Sequence, residues 1–370
     1  MNAAEHGRLP SSQPFDHLVY LRVFEGCNLH CEHCFIPNNP RRFAPERFAD
    51  IPAMLAPRIP KGSNVLIQWH GGEPTLMGPE YIRAGIETLG GDTTYTWRHG
   101  IQTNLMTYYP RWADLYHQHF ASEVGVSWDP LIRLDKSQKA ESHGKVRETF
   151  MRNLQSLIAD GLTPYVVVTA TRTLFEHHTD PFGFFQWWTD QGVRHVHLER
   201  VTKTGYARQN WDRIGLDNRG YSHAMARWAK AYAAYKRTDH GRDFHLSPFE
   251  NLGASVASLL RGEPRAAGCW SGACDTRFHT IDGDGYKAGC TALTSEDGNR
   301  NRTIPLIPKS NASFEDKRAL RTYNCGACIF RSVCKTGCLA LDFDDGSGEC
   351  SGGLEMFGTI ENLTRQGAFP

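Results

Sequence analysis

The sequence predicts an α/β fold: an incomplete (β/α)6 barrel followed by a loop-rich, cysteine-rich C-terminal segment. Three observations predict it. Apolar runs of strand length alternate with helical patterns about six times between His17 and Lys236, and repeated βα alternation means a parallel sheet covered by helices. The motifs that could carry chemistry fall at the C-terminal ends of those strands, the face on which such barrels place their sites. From Gly262 the composition turns to Gly, Cys, Asp and turn formers, a pattern usually held by metal rather than by a large core. A doubly wound open sheet is the rival arrangement of the same units.

His17–Phe24 is β-branched and aromatic and reads as a buried strand. Pro45 opens a helix to about Leu55. Asn64–Trp69 is the second strand, ended by His70-Gly71-Gly72-Glu73-Pro74, and a helix from Pro79 to Leu89 follows. The third strand, Tyr95–Gln102, ends at Thr103-Asn104 and leads to a helix over Pro110–His119. Glu123–Ser127 is the fourth strand. Val146, Phe150, Leu154, Leu157 and Ile158 recur at helical spacing over Lys145–Asp160, and Gly161 closes that helix. Pro164–Thr171 is the strongest strand signal; a helix over Phe184–Gln191, a strand over Val193–Glu199 and a helix over Tyr221–Lys236 complete the alternation. Beyond Arg237 only a short helix over Ser247–Leu260 is expected. The domain reading is a barrel over 12–240, a helical linker over 241–264 and a cysteine-rich domain over 265–370.

The chain has 370 residues, 40% of them hydrophobic and 22% charged, with a net charge of +1. Such a balance excludes bulk nucleic acid and anionic membrane as partners. No apolar run approaches a membrane span, and the polar stretch Met1–Ser12 has no signal core, so a cytoplasmic location is expected.

Eleven cysteines stand at 27, 31, 34, 269, 274, 290, 325, 328, 334, 338 and 350. An odd, clustered set in a chain with no secretion signal points to metal or catalysis rather than disulfides. Cys27-x3-Cys31-x2-Cys34 follows the first strand, and three thiolates are one short of the four that usually hold a [4Fe–4S] cubane. A missing ligand keeps a coordination position open. The remaining eight suit two fully ligated cubanes, with two four-cysteine zinc sites as the rival. Gly71 and Gly72 let main-chain carbonyls approach a ligand, and Glu73 could accept from an ammonium.

Cys27-x3-Cys31-x2-Cys34 with Gly71-Gly72-Glu73-Pro74-Thr75 resembles the radical S-adenosylmethionine (radical SAM) superfamily, and the pattern from Cys274 to Cys350 resembles its C-terminal SPASM extension. The resemblance covers about residues 15–350. It implies that Cys27, Cys31 and Cys34 hold a [4Fe–4S] cluster whose fourth iron takes S-adenosylmethionine, cleaved reductively to a 5′-deoxyadenosyl radical that abstracts a substrate hydrogen. It implies cofactor contacts from His70, Gly71, Gly72, Glu73 and Ser127, the last in a looser match because Pro130 stands where a glycine is usual. Arg147, with Arg133 and Lys136 as alternatives, is the expected partner of the cofactor carboxylate. By the family's interleaving, Cys269, Cys274, Cys290 and Cys338 would hold one auxiliary cluster, and Cys325, Cys328, Cys334 and Cys350 the other.

The function implied is modification of a ribosomally made peptide, by crosslinking or related C–H chemistry. The alternative is formylglycine formation by a sulfatase-maturase-like enzyme. Thr291 stands where those maturases carry an aspartate base, which favours peptide modification. A non-catalytic iron–sulfur scaffold is the reading from another class. Glu199, at the end of the sixth strand, is the candidate catalytic residue, with an ion pair to Arg200 as its structural alternative. The expected partners are a peptide or protein substrate, a separate leader-recognition protein and a flavodoxin- or ferredoxin-type electron donor; nucleic acid and membrane are not. Only twenty-six residues precede Cys27, so no leader-binding domain is expected within the chain.

Overall fold

The computed structural model describes residues 15–36, 39–294 and 314–369. Eleven strands run in chain order: β1 His17–Phe24, β2 Leu29–Cys31, β3 Asn64–Gly71, β4 Thr96–Thr103, β5 Glu123–Ser127, β6 Arg133–Asp135, β7 Thr163–Ala170, β8 His195–Arg200, β9 His245–Ser247, β10 Phe278–Asp282 and β11 Gly285–Ala288. Nine form one sheet in the order β11-β10-β1-β3-β4-β5-β7-β8-β9. Every pairing in it is parallel except that between β10 and β11. The α/β class and the six strand–helix units expected from the sequence are thus present.

Alternation along each strand decides what the sheet does. Val19, Leu21 and Val23, Val65, Ile67 and Trp69, and Val166 and Val168 are buried. They lie in the main apolar core. Of the intervening residues, Tyr20, Gln68, His70, Gln102, Ser127, Tyr165, Thr169, His197 and Glu199 line one internal cavity, together with the apolar Leu18, Leu66 and Val167. A parallel sheet covered by helices normally has apolar residues on both faces. Here the inner face mixes polar with apolar residues, and because residues from β1 and β8 line the same cavity, the sheet curves around it as a partial barrel.

The helices follow the expected positions. Pro45–Asp50 is a 3-10 turn that continues into a helix over Ile51–Leu55. Pro79–Gly90, Pro110–His119, Ser142–Ala159, Pro181–Asp190 and Asn218–Tyr235 cover the sheet. Capping fixes several starts: Asp180 accepts from the Phe182 amide and Asp217 from the Gly220 amide.

Three features depart from the sequence reading. The segment expected as a helical linker also carries β9, which extends the sheet beside β8. The segment expected to be sparse in regular structure contributes the β10–β11 hairpin, whose β10 pairs in parallel with β1, and a helix over Leu354–Arg365 that buries Met356, Phe357 and Ile360. A separate ribbon, β2 against β6, forms within the loops above the sheet. Among the described residues no helix is long and apolar enough to cross a membrane.

Candidate functional site

The three-cysteine loop leaves the end of β1 and is held by the β2–β6 ribbon, in which Cys31 pairs with Arg133. The Cys34 amide donates to the Cys31 carbonyl at 3.1 Å, and the Cys34 carbonyl accepts from the Tyr206 amide at 2.9 Å. The Cys27 Sγ accepts from the Leu29 amide at 3.4 Å and from Asn104 Nδ2 at 3.5 Å. Burial pushes the Cys27 and Cys31 thiols up to about 12 and Cys34 to about 11. Thiols so placed stay protonated unless a bound cation offsets the desolvation.

Gly71 and Gly72 are required by close packing of backbones. The Gly72 amide donates to the Phe24 carbonyl at 2.8 Å and the Glu73 amide to the Gly26 carbonyl at 3.0 Å. A Cβ on Gly71, at φ +139°, would meet the Phe24 oxygen at 2.1 Å; one on Gly72 would meet the Gly26 oxygen at 2.4 Å. This pair therefore clamps the end of β3 to the start of the three-cysteine loop. Glu73 is fixed by its neighbours. Its Oε1 accepts from the Thr75 amide (3.0 Å), Thr75 Oγ1 (2.6 Å) and Thr103 Oγ1 (2.7 Å), and its Oε2 from the Asn104 amide (2.7 Å). Burial raises its pKa and these bonds oppose the rise. A carboxylate that accepts four protein hydrogen bonds holds these loops together while it lines the cavity.

Ser127 lines the cavity, and its Oγ accepts from Gln102 Nε2 at 2.7 Å. Gly125 makes room for Gln102, since a Cβ there would meet Gln102 Oε1 at 2.4 Å. Two residues beyond Ser127, the buried Asp129 accepts from Arg133 Nη2 at 2.8 Å and from the Thr169 amide at 2.7 Å. Arg133 lines the cavity. Arg147 is exposed on the Ser142–Ala159 helix and does not line it. Among the basic candidates Arg133 therefore replaces Arg147, because only a side chain held in the barrel mouth can meet a ligand there. Lys136 is likewise exposed. His70 and His33 line the same region; burial lowers both imidazoles to about 4, so they are neutral, and the Nδ1 of each is buried with no hydrogen-bond partner among the described residues. Such orphaned atoms suit a polar ligand.

The C-terminal cysteines are free thiols in two neighbourhoods. Cys269, Cys274, Cys290 and Cys338 all line the cavity, and the Cys290 amide donates to the Cys274 carbonyl at 2.8 Å. Burial raises all four, and the charges of Cys338, Cys274 and Cys290 add to the rise at Cys269. Cys269 counts as exposed because it faces the open lumen, although protein surrounds it. Cys325, Cys328, Cys334 and Cys350 stand apart from the cavity. At Cys334 burial and then Cys350, Cys325 and Cys328 raise the thiol to about 12. A Cβ on Gly352 would lie 2.5 Å from the Cys334 sulfur and 3.6 Å from that of Cys350. The donor set is all sulfur, and thiolates of this kind suit iron–sulfur ligation or zinc.

Glu199 lines the cavity and is half exposed; its Oε2 lies 2.9 Å from His197 Nε2. The expected ion pair with Arg200 does not form. Arg200 turns toward the C-terminal segment, donating to the Ser351 carbonyl and to Asn218 Oδ1 at 2.8 and 2.7 Å. Residues that sequence reasoning missed include His197, Gln102 and Arg22, whereas Asn104 was singled out at the end of the third strand. The signal for His197 was its spacing: on a strand, i and i+2 share a face, so Glu199 brings it along. Thr291 hydrogen-bonds Arg22.

No family model and no curated protein matches the chain. Solved structures do. Native anSMEcpe with bound AdoMet and Cp18Cys peptide superposes with a TM-score of 0.66 at 16% identity, over 95% of this chain and 97% of that one. Streptococcus suis SuiB bound to the precursor peptide SuiA gives 0.54 at 14% identity, over 88% and 72%. A second crystal structure of Streptococcus suis SuiB gives 0.57 at 15% identity, over 88% and 73%. The partial barrel, the cysteine loop beyond its first strand and these superpositions together mean that this chain has the fold of the radical SAM enzymes.

Proposed function

We propose that the protein is a radical SAM enzyme of the SPASM type that modifies a ribosomally made peptide through C–H chemistry such as crosslinking. One observation carries the reading: a single cavity of about 860 Å3 is lined both by Cys27, Cys31 and Cys34 and by Cys269, Cys274, Cys290 and Cys338. A cavity of that size admits a cofactor and a peptide segment together. The bound peptides of anSMEcpe and SuiB support a peptide substrate.

Cys27, Cys31 and Cys34 would hold a cluster with S-adenosylmethionine, and the other eight thiols two further clusters. When bound, these would supply reductive cleavage of the cofactor and hydrogen abstraction from the substrate. The chain's own residues do the rest. Asn104 Nδ2 and the Leu29 amide stabilise charge on the Cys27 sulfur. Arg133, held by Asp129, offers its guanidinium to the cofactor carboxylate. Gly71 and Gly72 give close backbone approach, with neutral His70 and His33 as polar contacts beside them. Glu199, hydrogen-bonded to His197, holds or accepts a proton at Oε2 on the cavity wall. A peptide is bound along that wall, electrons enter from a flavodoxin- or ferredoxin-type donor, and a separate protein recognises any leader. The site of action is the cytoplasm. Formylglycine formation fits less well, because Thr291 bonds Arg22 and has no carboxylate to act as base.

Anaerobically reconstituted protein given dithionite and S-adenosylmethionine should release 5′-deoxyadenosine, and the Cys27→Ala/Cys31→Ala/Cys34→Ala variant should release none. Equal release from both, or none from either with a full complement of iron, refutes the assignment.

A further inference from the structure

Arg200 ends β8 and is partly buried. A guanidinium carries five N–H donors. Nη1 donates to the Ser351 carbonyl at 2.8 Å and Nη2 to Asn218 Oδ1 at 2.7 Å, and these are its hydrogen bonds among the described residues. Two of five donors are used, which leaves three. The guanidinium carbon stands 4.0 Å from the centre of the Tyr221 ring. No carboxylate forms an ion pair with Arg200 among the described residues. Glu199, the preceding residue, has its Oε2 2.9 Å from His197 Nε2. Asp345 is occupied by amides: its Oδ2 accepts from Asn218 at 2.7 Å and its Oδ1 from Ser347 at 3.1 Å. A desolvated cation with no counter-charge is costly unless something else supplies one.

Two hydroxyls on the residues that hold this guanidinium are unused as well. Tyr221, whose ring it covers, is 1% exposed, and Ser351, whose carbonyl it bonds, is 2% exposed. The Tyr221 hydroxyl and the Ser351 Oγ are both buried with no hydrogen-bond partner among the described residues. Buried hydroxyls are seldom left in that state, because each forfeits its bonds to water. Arg200, Tyr221 and Ser351 all line the large cavity. They come from three distant stretches: the end of β8, the Asn218–Tyr235 helix and the turn after Cys350. The fold therefore brings one cation and two O–H donors to one part of the cavity wall and sets no anion among them.

We propose that Arg200, Tyr221 and Ser351 form a subsite for a carboxylate of the substrate peptide. The proposal rests on the reading that a peptide enters this cavity, and it adds the charge which that peptide carries there. A carboxylate matches the donors. Its two oxygens accept from a planar guanidinium, and their remaining lone pairs accept from the two hydroxyls. A neutral amide would leave the cation unbalanced. The carboxylate belongs either to an Asp or Glu side chain or to the C-terminus of the peptide. Because Arg200 follows Glu199 in the strand, a carboxylate held here brings the flanking peptide residues alongside Glu199.

The test uses full-length protein, anaerobically reconstituted and saturated with S-adenosylmethionine so that the cofactor's own carboxylate does not compete. Calorimetry compares acetyl-Ala-Glu-Ala-amide with acetyl-Ala-Gln-Ala-amide, and acetyl-Ala-Ala-Ala as the free acid with its amide. At least one acidic probe should bind about tenfold tighter than its neutral partner, the worth of a charge-assisted hydrogen bond; the first pair assigns the side chain and the second the C-terminus. Tyr221→Phe should weaken the acidic probe about fivefold and leave the neutral one unchanged. Its thermal midpoint should stay at or above that of wild type, because the free protein loses no bond. Equal binding of charged and neutral probes by wild type, or binding of neither, overturns the proposal. So does a Tyr221→Phe protein with a lowered midpoint and unchanged affinities. Arg200→Met should abolish the charge preference; if it fails to fold, Tyr221→Phe and Ser351→Ala decide. A charge preference in protein that releases no 5′-deoxyadenosine refutes the radical reading and keeps the subsite, whereas release with no preference refutes the subsite alone.

Discussion

Glu73→Gln is the most informative single change at the three-cysteine site. The substitution keeps the side chain's size and leaves Oε1 able to accept from Thr75 and Thr103. It puts an NH2 where Oε2 now accepts from the Asn104 amide at 2.7 Å. A charge-assisted bond of about 1.5–3 kcal/mol is lost, and a buried donor is left facing a donor at a further cost of about 1–3 kcal/mol. Partial relaxation should bring the sum to about 3 kcal/mol, roughly 150-fold in the equilibrium that keeps this loop closed. The effect should spread, because Asn104 Nδ2 donates to Asn28 Oδ1 at 2.7 Å and supports the Cys27 sulfur. Hydrogen exchange followed by mass spectrometry reads the loop directly: amides between Gly71 and Met106 should lose protection, and S-adenosylmethionine affinity should fall in parallel. Thr103→Val combined with Glu73→Gln should cost less than the sum of the two, since both act on one network. Reduced cofactor affinity with unchanged exchange would refute the reasoning, because it would make the carboxylate a direct ligand contact.

Arg133→Met should weaken S-adenosylmethionine binding at least tenfold and destabilise the protein by about 3 kcal/mol, because it leaves Asp129 buried and unpaired; Arg147→Ala should change neither, as calorimetry and denaturation will read. Metal-free protein should lose stability between about pH 9 and 12: Cys27, Cys31 and Cys34 have folded pKa values raised above the ordinary 9.0, to about 12, 12 and 11, so their contribution is full below the unfolded value and disappears as pH rises through the folded one. Iron-loaded protein should lack that dependence, which denaturation across the range will show. Glu199→Gln should leave 5′-deoxyadenosine release within about threefold and abolish modified peptide, measured by mass spectrometry. Gln102→Ala should release Ser127 Oγ from its 2.7 Å bond and change cofactor affinity by up to about tenfold, roughly the worth of one such hydrogen bond, whereas Gly125→Ala should lower the thermal midpoint even with Gln102→Ala added, because its Cβ would also meet the Ile101 carbonyl at 2.5 Å.

Strand and helix positions over the barrel were legible because period-2 and period-3.6 patterns are local. His17–Phe24, Pro110–His119 and Glu123–Ser127 fall where their residues put them. The cysteine groups were legible from spacing and resemblance. What escaped was everything set by distant partners. Arg22 was read as one letter of an apolar strand, yet its partner Thr291 is 269 positions away; a charged residue amid Val19, Leu21 and Val23 was the available signal. Arg147 was preferred to Arg133 because nothing in the sequence showed that a ribbon would carry Arg133 beside Cys31. The β10–β11 hairpin was missed because Thr280 and Asp282, both fully buried, read as turn-rich polar sequence until Thr280 pairs with β1 and Asp282 with Gly285.

The pairing of β10 with β1 sets a timetable for the growing chain. His17 and His279, which meet across that pair, are separated by 262 residues. At about 5–20 residues per second of synthesis, one edge of β1 waits roughly 13–52 s for its neighbour. During that interval β1 can pair only with β3, and its other edge is an open template for foreign strands. Cys27, Cys31 and Cys34 emerge at the start of the wait, whereas Cys290 and Thr291 arrive at its end. The three-cysteine loop is therefore made well before the segment that completes the wall of the same cavity.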